Sequence, residues 1–233
     1  AAEFAGRQDI VDMILEAINS LKEKGVDIQY GNPKIPVKNS VQLAVSRNEV
    51  YIPKVIAEEI GYDKLEKIIA KSEIYDLSCK YMRGLDRLDK ELLKSVFHED
   101  AWCDYGFTKS NAFAFTQFCM DALKEHHANH HMIGNILIEF SDNEDEAFGE
   151  VYFQAYHKVS ENDQTNDIFI SGRYLDRYEK RNGIWKIVYR SEIVDWSRTE
   201  PTNEPYFDTA PDCFRGGRQD DRVYQLEKRT NPN

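Results

Sequence analysis

The chain has 233 residues, 41% of them hydrophobic, and 41 acidic side chains against 30 basic ones give a net charge of -11. That length suits one domain with an appendage or two small domains, and 13 Tyr and 12 Phe add to the supply of core side chains. The acidic balance disfavours nucleic acid as a partner, and no apolar run reaches the roughly 18 residues needed to span a membrane.

Ala1 to Gly6 lacks the charged and apolar regions of a signal peptide and reads as an expression scar. From Ile10 to Leu21 the apolar positions Ile10, Val11, Ile14, Leu15, Ile18 and Leu21 recur at spacings of three and four, which predicts a helix that stops at Gly25. Gly31, Pro33 and Pro36 predict an irregular connection, and Val41, Leu43 and Val45 a short strand or extended arm. Pro53 can open a further helix. A long helix is expected from about Lys64 to Leu85 and a short one from Asp89 to Val96.

The pattern then changes. Ala101 to Phe107 predicts a strand and Asn111 to Lys124 a Phe-rich helix, followed by strands at Asn135–Phe140, Glu146–Val159, Asp167–Lys180 and Ile184–Trp196. Asn182-Gly183 suits the hairpin turn between the last two. Helices first and antiparallel strands afterwards predict an α+β fold. The stretch from Arg198 onward, rich in Pro, Asp, Gly and Arg, reads as loop, and the acidic run Asp142 to Glu146 as a solvated turn.

Four cysteines, Cys79, Cys103, Cys119 and Cys213, lie far apart with no CxxC pair, which predicts free thiols in a reducing cytoplasm and no metal centre. The chemistry is concentrated in two segments. Tyr81-Met82-Arg83-Gly84-Leu85-Asp86 places a phenol and a carboxylate on the end of the long helix, and His130-His131 stands at the mouth of a strand. Brought together, they would make a carboxylate-oriented imidazole base beside a tyrosine, enough for proton transfer without metal or cofactor.

From about Ser72 to Trp196 the chain resembles the SnoaL-like branch of the nuclear transport factor 2-like superfamily, most clearly through Tyr174 to Ile187 with its Arg181-Asn182-Gly183 turn. The resemblance implies a cone-shaped α+β roll, with a curved, mixed but mostly antiparallel sheet packed on helices around a deep pocket. It sets the domain at residues 63–197. Residues 1–62 become a helical extension acting as lid or oligomer contact, and 198–233 a tail. Related cofactor-independent lyases, such as scytalone dehydratase, hexachlorocyclohexane dehydrochlorinase and bile acid 7α-dehydratase, use an Asp–His pair. The matching positions are Asp86 in a Tyr-x-x-x-x-Asp pattern and His131, with His130 one register step away; Tyr81 and Tyr105 match the dehydratase tyrosines, and Arg190 a basic residue on the last strand.

For each there is a plainer reading. His126, His127, His130 and His131 would also make a polar surface loop, Tyr81 and Tyr105 core rings, and Arg190 an ion pair with Glu192 or Glu179. Trp102, Phe113, Phe115, Phe118 and Met120 read as core, with Trp102 and Phe118 also lining the pocket mouth beside Arg190 and His130. The resemblance implies a dehydratase acting on a bulky, hydrophobic, oxygenated small molecule, steroid-like or aromatic. It would need no cofactor and would assemble as a homo-oligomer, a trimer by analogy. A carbon–carbon lyase releasing formaldehyde from an aromatic dimer, a ketosteroid-type isomerase or cyclase, and a small-molecule-binding module are the alternatives.

Overall fold

The computed structural model describes residues 8–26, 40–45 and 48–225, and the chain divides into two compact units, Ala1–Asp76 and Leu77–Asn233. The first holds α1 (Gln8–Glu23), the antiparallel pair β1 (Ser40–Val45) and β2 (Asn48–Pro53), α2 (Lys54–Ile60) and the first turns of α3 (Tyr62–Arg87). Helix α1 buries a stripe shifted from the expected one: Met13, Ala17 and Leu21 are buried, Ile14 and Ile18 partly so, and Leu15 is exposed. Met13 packs with Ala57 and Leu65, while Ala17 and Leu21 pack with Ile56. Ser20 and Lys24 both donate to Glu59 Oε1 at 2.6 Å, tying the exposed side of α1 to α2. The strand expected at Val41–Val45 is β1, and Pro53 ends β2 just before α2 begins. The expected connection around Gly31 to Pro36, like the two chain ends, lies outside the described residues.

The second unit continues from α3 through α4 (Lys90–Ser95), β3 (Phe97–Asp104), β4 (Lys109–Asn111), α5 (Ala112–Leu123), β5 (Ala128–Phe140), β6 (Glu146–Glu161), β7 (Gln164–Arg181), β8 (Ile184–Pro201) and α6 (Tyr206–Thr209). One six-stranded sheet runs β4-β3-β8-β7-β6-β5; β3 is parallel to β8 and every other neighbour is antiparallel. The fold is therefore α+β with a mixed, mostly antiparallel sheet. On β6, alternate residues Ala147, Val151, Phe153, Ala155 and His157 are buried, the period-two pattern of a strand with one covered face. Asn182 and Gly183, with φ of 54° and 78°, make the β7–β8 turn whose positive φ values match strand twist.

Two strands are longer than their composition suggests. Strand β5 begins at Ala128 and not at Asn135, so His130 and His131 lie inside it, opposite Tyr156 and Ala155 of β6. A register shift between Ile133 and Ile136 absorbs Gly134 and Asn135, which local propensity reads as a strand boundary. Strand β8 continues past Trp196 to Pro201, paired with Asn166, because β7 supplies a partner for residues that would otherwise read as loop. No described helix is long and apolar enough to cross a membrane.

Helix α3 stops at Leu88, whose φ of 52° is unusual for a residue with a Cβ, and Asp89 N–H closes back on Gly84 C=O at 2.9 Å. Asp89 Oδ1 then accepts from Leu92 N at 3.0 Å, starting α4 at once. The tight return depends on Gly84: a Cβ there would stand 2.9 Å from Leu93 Cβ and 3.0 Å from its Cα. Gly84→Ala is expected to cost about 1–3 kcal/mol in urea unfolding through this overpacking. A wild-type midpoint would show that α4 moves aside freely.

Candidate functional site

Asp86 sits in the last turn of α3 and is buried, 6% exposed. Its carboxylate accepts the backbone N–H of His131, 3.0 Å to each oxygen, and His131 Nδ1 approaches Oδ1 at 2.6 Å. A carboxylate accepts only, so Nδ1 carries the proton and Nε2 is left with its lone pair. Three contacts hold one imidazole by both its main chain and its ring. Placing His131 within β5 is what makes this possible, since the strand delivers its N–H and its side chain to one point.

Behind His131 lies a second imidazole. The His157 ring is 5.0 Å from that of His131, and that of His126 is 5.1 Å from His157. Asn129 satisfies this group with its amide nitrogen toward His157 Nδ1 (2.9 Å) and His126 Nδ1 (2.8 Å) and its oxygen accepting from Arg218. Arg218 also donates to the main-chain oxygens of Asp86 (2.7 Å) and His126 (3.0 Å). Burial lowers His157 to about 3, so it stays neutral beside the candidate base. Arg87 reaches Asp221, and Tyr224 donates to Asp89, so the segment after β8 clasps the end of α3 that carries Asp86.

Tyr81, one and a half turns before Asp86, is 1% exposed and its hydroxyl lies 2.7 Å from that of Tyr105. Burial pushes both phenols well above their usual range, so they keep their protons and act as hydrogen-bond donors. Arg190 is fully buried between the rings of Tyr81 and Tyr174, with its guanidinium carbon 4.1 and 4.2 Å from their centroids. Its ion-pair partner is neither Glu192 nor Glu179. Asp176, the facing residue on β7, accepts from Nε at 2.7 Å and from Nη2 at 2.6 Å, which leaves Nη1 without a partner.

The other sequence candidates are dispersed. His130, on the opposite face of β5 from His131, lines a cavity of about 730 Å³ with Arg87, Lys158, Arg215 and Arg218. Phe118 is half exposed and packs on Phe115, which stacks on Tyr105 at 4.3 Å. Trp102 is 47% exposed and takes the face of β3 opposite the buried Cys103. None of the four cysteines is in a disulfide, and burial pushes Cys103 up to about 12, which makes it inert. Among the described residues no group of His, Cys, Asp or Glu could hold a metal ion.

Sequence reading missed Tyr174, Asp176, His157, Asn129 and Arg218. For the β7 residues a signal existed. Tyr174, Asp176 and Tyr178 alternate, and all three are buried, so an acid on the core face of one strand answers Arg190 on the next. Arg218 carried no such signal, because its contacts join residues about 90 and 130 positions apart.

A model of the SnoaL-like domain matches residues 66–191. No curated protein sequence matches the chain. Among solved structures, the chain is similar to a type 2 hexachlorocyclohexane dehydrochlorinase, at 21% identity and a TM-score of 0.53 over 60% of this chain and 93% of that one. It is similar also to a protein from Novosphingobium aromaticivorans described as a candidate scytalone dehydratase, at 21% identity and a TM-score of 0.53 over 59% and 92%. A type 3 dehydrochlorinase from Novosphingobium barchaimii gives 21% and 0.52 over 59% and 93%. At these identities the likeness shows the fold.

Removing one partner from an ion pair whose side chains are both 0% exposed strands a buried charge. Asp176→Asn is expected to cost about 3–5 kcal/mol in denaturant unfolding, and a loss below 1 kcal/mol would mean that water reaches Arg190. The pH dependence of stability follows from His157. Its folded-state value lies below the ordinary 6.5, so its contribution is whole above pH 6.5 and is lost as pH falls toward about 3, where only the unfolded chain takes the proton. His157→Gln should flatten the decline of melting temperature across that window, and an unchanged slope would assign the decline to other groups.

Proposed function

Because the chain belongs to the SnoaL-like domain family, we propose that it is a cofactor-independent lyase that eliminates water from a bulky, hydrophobic, oxygenated small molecule, steroid-like or aromatic. The observation that carries the reading is the double hold of Asp86 on His131, which fixes the tautomer with Nε2 free to take a proton. Two of the structural neighbours bear the names of elimination enzymes, a dehydrochlorinase and a candidate scytalone dehydratase.

In this reading His131 Nε2 removes a C–H proton, and the Asp86 carboxylate stabilises the imidazolium that forms. Of the paired hydroxyls of Tyr81 and Tyr105, one donates to the other, and the second donates to a substrate oxygen as negative charge gathers on it. Acid–base assistance of this kind supplies about 10²–10⁴-fold. The substrate's C–H is therefore expected to be acidified already, for instance beside a carbonyl. Assembly as a homo-oligomer, trimeric by analogy, accompanies the reading.

The test is a mass-spectrometric screen of purified protein against hydroxylated steroids and aromatic dimers, with Asp86→Asn and His131→Ala in parallel. Loss of water by wild type, reduced about 10²-fold or more in both variants, is expected. Loss of formaldehyde would move the assignment to carbon–carbon cleavage, and turnover surviving in both variants would remove the dyad from the mechanism.

A further inference from the structure

The chain carries a net charge of -11, yet the lining of the cavity beside His130 has the opposite sign. Four permanent cations, Arg87, Lys158, Arg215 and Arg218, face it together with the imidazoles of His127 and His130. Glu204 is the one carboxylate in the lining. The walls come from the end of α3, from β5 and β6, and from the segment after β8. At about 730 Å³ the space lies within the range that holds a small molecule.

Two of the cations are neutralised within the fold. Lys158 Nζ donates to Glu204 Oε2, and Arg87 Nη1 donates to Asp221 Oδ2 at 3.1 Å. The other two form no ion pair among the described residues. Arg218 donates to the main-chain oxygens of Asp86 and His126, and the amide oxygen of Asn129 lies 2.9 and 3.1 Å from its terminal nitrogens. These neutral oxygens occupy N–H groups without cancelling the charge. Burial, and then the like charge of Arg87, hold Arg218 below its ordinary value; the Asp86 carboxylate acts the other way but is already bound to His131. Arg215 is exposed, with its guanidinium carbon 3.7 Å from the centroid of the Phe207 ring. His130 is exposed too, and its ring makes no hydrogen bond among the described residues. Two guanidiniums without a counter-charge in one cavity call for an anion, and their planar forks match the oxygens of a phosphate or carboxylate.

We propose that this cavity binds the phosphate monoester of a small organic molecule, with Arg215, Arg218 and His130 donating to the phosphate oxygens. The proposal stands apart from the elimination reading. Two unmatched guanidinium charges answer the charge of roughly -2 that a phosphate monoester carries near neutrality. A bare phosphate ion would fill only a small part of the space, and the rings of Tyr156 and Phe207 in the lining offer apolar surface to an organic body. The acidic balance of the rest of the chain favours a small ligand over a nucleic-acid backbone. Arg218 also ties the subsite to the dyad, since the same side chain holds the main-chain oxygen of Asp86.

The experiment is isothermal titration of the full chain with phenyl phosphate, inorganic phosphate and phthalate at one ionic strength set with sodium chloride. Phenyl phosphate is expected to bind as one molecule per chain and more tightly than either of the others. In NMR spectra of histidine-labelled protein it should move the ring signals of His130, identified by their loss in His130→Gln. Arg215→Glu is expected to keep the wild-type melting temperature, because the side chain is exposed, and to weaken binding about tenfold or more. Arg215→Gln makes the same comparison without a new charge, should the reversal disturb the fold. Inorganic phosphate bound as tightly as phenyl phosphate overturns the organic body, and phthalate bound more tightly overturns the phosphate. Binding that survives unchanged in both Arg215 variants, or that leaves His130 unmoved, puts the anion elsewhere and overturns the subsite. No binding of any of the three overturns the proposal as a whole and leaves the dyad untouched.

Discussion

A guanidinium with no exposure to solvent has to be compensated from every side, and much of the second unit is arranged to do so for Arg190. Asp176 neutralises it from the facing strand, and Tyr81 and Tyr174 cover its two faces. These partners come from β8, β7 and α3, so one buried charge fastens the helix to the middle of the sheet. The same packing explains why Tyr81 is buried to 1% while its hydroxyl still finds Tyr105. A buried pair of this kind is weak evidence for stability, since hydrophobic replacements often do as well.

Two constraints meet at the end of α3. The helix has to stop abruptly to let α4 return past Gly84, and it has to present Asp86 to β5. Leu88 at positive φ and the Asp89 cap achieve the first. The second is reinforced from outside, because Arg218 grips the main-chain oxygen of Asp86 and Arg87 reaches Asp221. The segment after β8, loop by composition, is thereby part of the framework of the candidate site. Asn129 extends that framework to His157, which keeps an uncharged imidazole behind His131.

Much of this was legible in residue order. Apolar spacing located α1, α3 and α5, and alternation with the Asn182-Gly183 turn located β6, β7 and β8. The Tyr81–Asp86 segment and His131 stood out for their chemistry, and Asp86 and His131 do meet in the structure. The misreadings share a cause. His130, His131, Asn135 and the residues after Trp196 have weak strand character, and pairing with β6 or β7 decides their conformation. Arg190 was legible as a charge in a core strand, but its partner was not, because Glu192, Glu179 and Asp176 all lie within reach on paper.

The sequence by itself determined the fold class, the order of elements and the placing of Tyr81 and Asp86 on one helix, since helix and strand periodicity and turn chemistry are local properties. Tertiary structure alone decided which nitrogen of His131 is free and which acid neutralises Arg190. Those outcomes depend on burial and on contacts between residues far apart in the chain. A carboxyl or an imidazole acquires its protonation state from the groups that surround it after folding, and residue order does not carry that information.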